Sequence, residues 1–311
     1  CLEKGEKYLI IPSFSPENKP LGYKSAITAN AAMDIAAAKD IVRMYIDMEA
    51  GLKEKGYKDR VKEAKLLDEQ LPEYQFDKSG AIREWSMKEY KENNAHRHIS
   101  HLYCAWPSYQ TQNDTSLANA CRQAIVNRNR ENTGKDDTAS HGWIHKALVE
   151  ARLKNSEAVY DILNLLVHSD IFYTSLFTDH NTNRAKGVAC TDTLFGIAGI
   201  VNEMLVYSDR STIELFPALS SRIPKGKVCG LMTRAGVRID SLEWCINTGT
   251  EGLKTDMKDG FYIKLKITAL RDTEFGLILK NENFNEMSKE DKSLFNQNIK
   301  LKSGEEYAIL L

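Results

Sequence analysis

The chain has 311 residues, 42% hydrophobic and 27% charged, enough for a large buried core and about two domains. Forty-two basic residues stand against 43 acidic ones, a formal charge of −1, which gives no electrostatic case for nucleic acid or an anionic membrane as a partner. No run of 18 apolar residues offers a membrane span, and the opening residues do not read as a secretory signal.

The first segment, Tyr8-Leu-Ile-Ile11, is an apolar, strand-like run that breaks into a loop punctuated by Pro12, Pro16 and Pro20. Proline fixes φ and lacks an N–H donor, so neither a helix nor a central strand fits there. The loop presents one carboxylate, Glu17. A solvated surface turn is the plain reading, and a rigid loop that carries chemistry is the other. Ala31, Ile35, Ala38, Val42, Tyr45, Met48 and Leu52 then recur at spacings of three and four, one face of a helix that Gly56 would stop. Further helical patterns run at about 58–70, 115–130, 142–154, 156–167 and 192–207, with Asp114 and Asn155 as N-caps for two of them. The stretch 93–114 is polar, aromatic and aperiodic, which predicts a long loop with a short helix.

After about residue 211 the period becomes two. Phe261, Ile263, Leu265 and Ile267 alternate with polar or charged neighbours after the turn Asp259-Gly260. Phe275, Leu277 and Leu279 repeat the pattern, as do Tyr307, Ile309 and Leu311, and Val237 and Ile239 begin a strand towards Trp244. Short strands joined by turns predict a β-sandwich. The expected organisation is a helical domain over 1–210 and a β domain over 211–311, with all seven histidines before residue 181 and so the chemistry in the helical part. Six scattered cysteines without a CxxC pair read as mostly buried thiols and lean towards a reducing compartment, with secretion still open.

Four constellations carry the chemistry. His96, His98 and His101 share six residues, but no cysteine, and no acid closer than Glu92, completes a zinc set, and Arg97 would set a positive charge beside the metal. A loop whose imidazoles bond backbone, or a pocket where His and Arg donate to sugar hydroxyls, are the readings that remain. His141 and His145 stand four apart, yet Gly142 occupies the place where a zinc protease has glutamate. Trp85, Tyr103 and Trp106 surround the histidine loop, either as core or as faces on which a sugar ring stacks, with Glu84 as a second carboxylate. Asp192 opens a helix, where a capping role is the plain reading; just before it, Asp179, His180 and Asn183 lie in a run dense in hydrogen-bonding groups.

Taken in order, the proline-bounded Glu17 loop, His96-Arg-His-Ile-Ser-His-Leu-Tyr103, His141-Gly-Trp-Ile-His145 and Asp192-Thr-Leu-Phe-Gly196 resemble glycoside hydrolase family 95, whose known members are mainly α-L-fucosidases, over about residues 8–240. The resemblance implies an α+β multidomain chain: the C-terminal half of an (α/α)6 barrel followed by a small antiparallel β-sandwich, with the crossing near Ile213–Leu219. It implies inverting hydrolysis of terminal α-L-fucosyl, or related L-sugar, residues without a cofactor or a metal. Glu17 matches the general acid, set in a partly dry pocket that favours its protonated form. Asp192 matches the carboxylate that helps an asparagine activate the attacking water. Arg97 would contact sugar hydroxyls, and His98 and His101 would contact them or orient neighbouring side chains, with Trp85, Trp106, His180 and Asn183 as further pocket residues, Trp143 packed inward and Glu84 as a partner of Arg97 or a pocket group. The family's usual Asp-Gly-Asn-Phe-Gly reads Asp-Thr-Leu-Phe-Gly here, so Thr193 and Leu194 reshape the wall beside Asp192 and put the substrate in doubt.

The resemblance also places the base asparagines in an upstream segment that this chain does not contain. That missing barrel segment is thus an expected partner, and the chain, which opens on Cys1, is expected to be a fragment and inactive alone. A disaccharide phosphorylase of the same helical-toroid kind and a non-catalytic sugar-binding remnant are the alternatives. A phosphate-binding cluster would favour the first of these, and the lack of an asparagine-rich segment ahead of Cys1 the second.

Overall fold

The computed structural model describes residues 6–132, 138–182, 187–246, 262–285 and 287–310. They fall into two compact units, Cys1–Val149 and Glu150–Leu311. Cys1, Asn183, the turn Asp259-Gly260, Phe261 and Leu311 lie outside the described residues.

In the first unit the run Tyr8–Ile11 is not the expected buried strand. Tyr8, Leu9 and Ile11 are exposed, and only β1 (Ser13–Phe14) pairs, antiparallel with β2 (Ile27–Thr28). Helix α1 (Ala32–Leu52) forms where expected and buries Ala32, Ile35 and Ala36, but the expected face does not hold along its length: Ala38, Val42 and Tyr45 are half-buried, and Met48 and Leu52 are exposed. Its opposite side leaves Ile41, Met44, Met48 and Leu52 exposed, an apolar stripe at helical spacing. The helix ends at Lys53, which takes the left-handed conformation with φ 53°, so Gly56 (φ 78°) does not stop α1 but caps the start of α2 (Tyr57–Gln70). Asp34, in the first turn of α1, accepts from the Ser13 hydroxyl (2.5 Å) and the Phe14 N–H (3.0 Å), which fixes β1 at the helix entrance.

The aperiodic stretch contains two short 3-10 helices, Ser100–Cys104 and Gln110–Gln112, and is tied to α1 by Asp40, which accepts from Ser108 (2.7 Å) and Gln110 (2.9 Å). Asp114 caps α3 (Thr115–Glu131) as predicted, accepting from the Leu117 N–H at 2.9 Å. Helix α4 (Ser140–Arg152) closes the unit, and the division between the two units falls inside it.

In the second unit Asn155 caps α5 (Ser156–His168), and α6 (Thr191–Leu205) passes directly into β3 (Val206–Ser208). The β part therefore starts at Val206 rather than at 211. It continues with β4 (Thr212–Leu215), β5 (Lys225–Val228), β6 (Leu231–Met232), β7 (Val237–Cys245), β8 (Tyr262–Ala269), β9 (Thr273–Leu279), the short helix α7 (Lys289–Leu294), β10 (Gln297–Leu301) and β11 (Glu306–Leu310). One sheet has the order β10-β9-β4-β3 and the other β11-β8-β7-β5, with β6 also on β7. The expectation of purely antiparallel pairing is corrected at β4 and β9, which run parallel. Such a pair needs a long crossover, here the whole chain between Leu215 and Thr273. In β7 a bulge between Ile239 and Ser241 offsets the odd spacing from Ile239 to Leu242, so that Val237, Ile239, Leu242 and Trp244 are all buried. Phe216, at φ 55°, packs edge-on to Trp244 (5.4 Å) and stacks on Phe284 (5.1 Å), joining strand and loop residues in one core. No helix among the described residues is long and apolar enough to cross a membrane.

Candidate active site

The Glu17 turn is held from several directions. The Asn18 N–H donates to the Ser15 carbonyl (2.8 Å), closing the turn around Pro16 and Glu17. The Ser15 hydroxyl reaches one carboxylate oxygen of Glu84 (2.7 Å) and the Asn18 amide the other (2.6 Å). Ser100, from the histidine loop, donates to the Pro16 carbonyl at 2.9 Å. Glu17 itself projects outward, its side chain 64% exposed, with its carboxylate on the Arg97 guanidinium and 3.9 Å from His98 Nε2. The dry surround expected of an acid is thus not built by the described side chains of this unit.

Beneath the turn lies a buried charge network. Glu84 is 1% exposed and pairs with Arg128 Nη2 at 2.8 Å. Burial alone would push Glu84 up, but Arg128, His101 and the Ser15 hydroxyl together hold it below the usual carboxylate range. Arg128 also donates to the Asn93 carbonyl (2.6 Å) and to His101 Nδ1 (3.3 Å). That last bond requires an unprotonated acceptor nitrogen, and burial, aided by Arg128, pushes His101 down to about 3. The ion-pair partner of Glu84 is therefore Arg128, and Arg97 serves Glu17.

The imidazoles gather on the same side. His98 lies 5.3 Å from His96 and 5.7 Å from His141, and His145, one turn further along α4, lies 5.8 Å from Trp106. Burial pushes His98 to about 4, with Arg97, His96 and His141 adding to the effect, and pushes His145 to about 4 as well. These rings are neutral near pH 7, each able to donate and accept one hydrogen bond. Among the described residues no three His, Cys, Asp or Glu side chains are placed to hold a metal ion.

The aromatic candidates divide. Trp85 is fully buried, bridged to Ala31 and edge-on to Tyr90 at 6.3 Å, so it is core with no face open to a sugar. Trp106 is half-buried at the histidine cluster and keeps part of its ring available. Trp143 is also half-buried, beneath the Lys146 ammonium at 5.2 Å. Periodicity could not have found the Glu84–Arg128 contact, because the partners are 44 residues apart and Arg128 reads as part of a polar helix face.

In the second unit Asp192 lies in the first turn of α6, but the capping position belongs to Cys190. The Asp192 carboxylate is exposed, and no hydrogen bond or ion pair ties it to another described residue. The plain capping reading is thus not what the helix end displays. Asp179 is fully buried and accepts from the Tyr173 hydroxyl (2.5 Å) and the Asn181 N–H (2.8 Å), a turn-building role. His180 is half-buried with Nδ1 2.6 Å from Asn181 Oδ1, while Asn183 lies outside the described residues.

A carboxylate turn beside neutral imidazoles, a guanidinium and a part-exposed indole suits a neutral, polyhydroxylated ligand better than a metal or a polyanion. The family model of the glycosyl hydrolase family 95 catalytic domain matches residues 2–205, and the chain belongs to that family. It is similar to alpha-L-fucosidase 2 of Arabidopsis thaliana, 32% identical over 251 residues, which cover 75% of this chain and 28% of that protein. It is also similar to the probable alpha-fucosidase A of Aspergillus oryzae (29% identity, 52% of this chain and 25% of that protein) and to that of Aspergillus niger (26%, 57% and 24%). The chain thus spans about a quarter of the length of these relatives.

Proposed function

We propose that the chain is part of an inverting glycosidase that releases terminal α-L-fucosyl residues from glycans, and that Glu17 is its general acid. The observation that carries this is the anchoring of the Glu17 turn: its flanks are fixed by buried hydrogen bonds to Glu84, while its carboxylate points outward beside Arg97 and His98. In the reaction Glu17 donates its proton to the leaving oxygen as the anomeric C–O bond breaks, and water attacks the opposite face of the ring. Arg97 and His98 bind sugar hydroxyls; productive binding transfers Arg97 from the Glu17 carboxylate to the sugar, so that the acid can hold its proton. His101 acts beneath them through Arg128, and Trp106 offers a stacking face. Asp192 polarises the group that activates the water. No cofactor or metal takes part.

The six helices α1 to α6 are read as part of an (α/α)6 barrel and the two sheets as a β-sandwich, a helical catalytic domain up to Leu205 and a β domain from Val206 onward. In the relatives about three quarters of the length lies outside the matched region. Further barrel helices would cover the exposed stripe of Ile41, Met44, Met48 and Leu52. Residues 1–311 alone would then not turn over a fucoside, and adding the upstream barrel segment would restore turnover.

The deciding experiment compares Glu17→Gln with the parent, in the full-length protein, on an α-L-fucosyl alkyl glycoside and on α-L-fucosyl fluoride. An alkoxide leaves only when protonated, whereas fluoride needs little help. Turnover of the glycoside should fall by about 100-fold or more and that of the fluoride far less. Equal losses on both would remove Glu17 from the acid role.

A further inference from the structure

We propose that Glu84 is the positioning residue of the acid turn: paired with Arg128, it aims Glu17 through Ser15 and Asn18 without touching the sugar. This rests on the reading of Glu17 as the general acid. The geometry is specific. Ser15 and Asn18 bracket Pro16 and Glu17, and each donates to a different oxygen of the same carboxylate, at 2.7 and 2.6 Å. Glu84, Ser15 and Asn18 are 1%, 0% and 1% exposed, so these bonds are shielded from water. A bidentate acceptor under both ends of a four-residue turn constrains its position and its tilt.

The network continues outward without a break. Glu84 has Arg128 on Oε2, Arg128 holds the Asn93 carbonyl and His101, and the Asn93 amide returns to Asn18 Oδ1 at 2.9 Å. The Glu84 N–H is in turn held by Glu92 Oε2 at 2.8 Å. The acid turn and the histidine loop are thus registered on a single buried ion pair. A general acid gains its rate from alignment with the leaving oxygen, and a misplacement of about 1 Å is costly. Neutralising Glu84 removes the acceptor that serves both Asn18 and Arg128 and lets the turn tilt.

The test uses Glu84→Gln, Ser15→Ala and Asn18→Ala in the full-length protein, with the alkyl fucoside and the fucosyl fluoride as probes. Each variant should lower kcat on the glycoside by about 10-fold or more, leave its KM within about threefold, and change turnover of the fluoride by less than about threefold. Placing Ser15→Ala on a Glu17→Gln background should cost nothing further, because the aim of an absent acid no longer matters. If Glu84→Gln does not fold, Ser15→Ala and Asn18→Ala, which leave no buried charge unpaired, give the result. Equal falls on both substrates in these variants, or no fall, would overturn the positioning role even where Glu17→Gln discriminates between the substrates. If Glu17→Gln itself does not discriminate, the acid assignment fails and this inference fails with it.

Discussion

Arg128 and Glu84 form an ion pair with both partners buried, Nη2 2.8 Å from Oε2, and their other side-chain bonds run to groups of the histidine loop or the acid turn. Breaking a buried pair from one side leaves an uncompensated charge, at a cost of about 3–5 kcal/mol. Arg128→Met should therefore lower stability by that order in chemical denaturation. Arg128→Lys should also destabilise, because an ammonium cannot span Glu84, His101 and the Asn93 carbonyl at once. Adding Glu84→Gln to Arg128→Met should recover much of the loss, since neither charge is then buried. A double variant as unstable as the single one would show that the two residues do not act as a pair.

The helices were legible because period and caps agree: Ala31 to Leu52 shows a spacing of three and four, and Asp114 and Asn155 accept from the first turns they precede. Strands β7, β8, β9 and β11 were legible for the same reason at period two. Strands β3 and β5 were not: β3 is three residues long and continues a helix, and β5 is Lys-Gly-Lys-Val, whose sheet position depends on a distant partner. The site was legible as residue types in the Glu17 loop and the histidine motif. Its wiring was not, because hydrogen bonds between residues 15 and 84 or 84 and 128 leave no local pattern. Trp85 marks the limit, since an aromatic beside polar residues reads alike whether its ring ends in a core or in a pocket.

Asp192 separates a catalytic from a structural role. It is exposed in the first turn of α6, where its charge gains only about 0.3–1 kcal/mol from the helix dipole, and Cys190 holds the capping position. Asp192→Asn should leave the melting temperature nearly unchanged and lower fucoside turnover by about 100-fold or more, the range that general-base catalysis supplies. A large fall in melting temperature with near-normal turnover would assign it to the helix.

Gly226 tests the packing of the second unit. It pairs with Trp244 in the sheet, and a methyl group there would lie 2.3 Å from Cζ2 and 2.4 Å from Cη2 of the indole. The ring cannot swing away freely, because its Nε1 donates to the Ile223 carbonyl at 3.1 Å and its face meets Phe216. Gly226→Ala should cost about 1–3 kcal/mol by overpacking. Combining it with Trp244→Leu should cost less than the two changes summed. Additive losses in thermal denaturation would exclude the clash as the cause.

Acid should destabilise the protein through its histidines before it titrates ordinary carboxylates. Burial holds His98 and His145 at about 4 and His101 at about 3, against 6.5 when unfolded. Below pH 6.5 the unfolded chain takes up protons on these rings that the folded chain does not, so stability falls as pH falls through that window. Glu84, held below its ordinary 4.5, adds to the loss under pH 4.5. Glu92 works in the opposite sense: burial raises it to about 7, so between 4.5 and 7 the folded state holds a proton that the unfolded state releases, and stability from this group declines as pH rises. With three histidines against one carboxylate, unfolding near pH 5 should take up about two protons net, and the melting temperature should drop steadily from pH 6.5 to 4.5. Glu92→Gln removes the opposing group and should steepen that drop while raising the melting temperature at pH 8, where the buried carboxylate is otherwise charged. His101→Asn should make the drop shallower. A melting temperature flat from pH 6.5 to 4.5, or a Glu92→Gln profile parallel to that of the parent, would mean that these groups are hydrated in the folded protein and that the buried network is open to water.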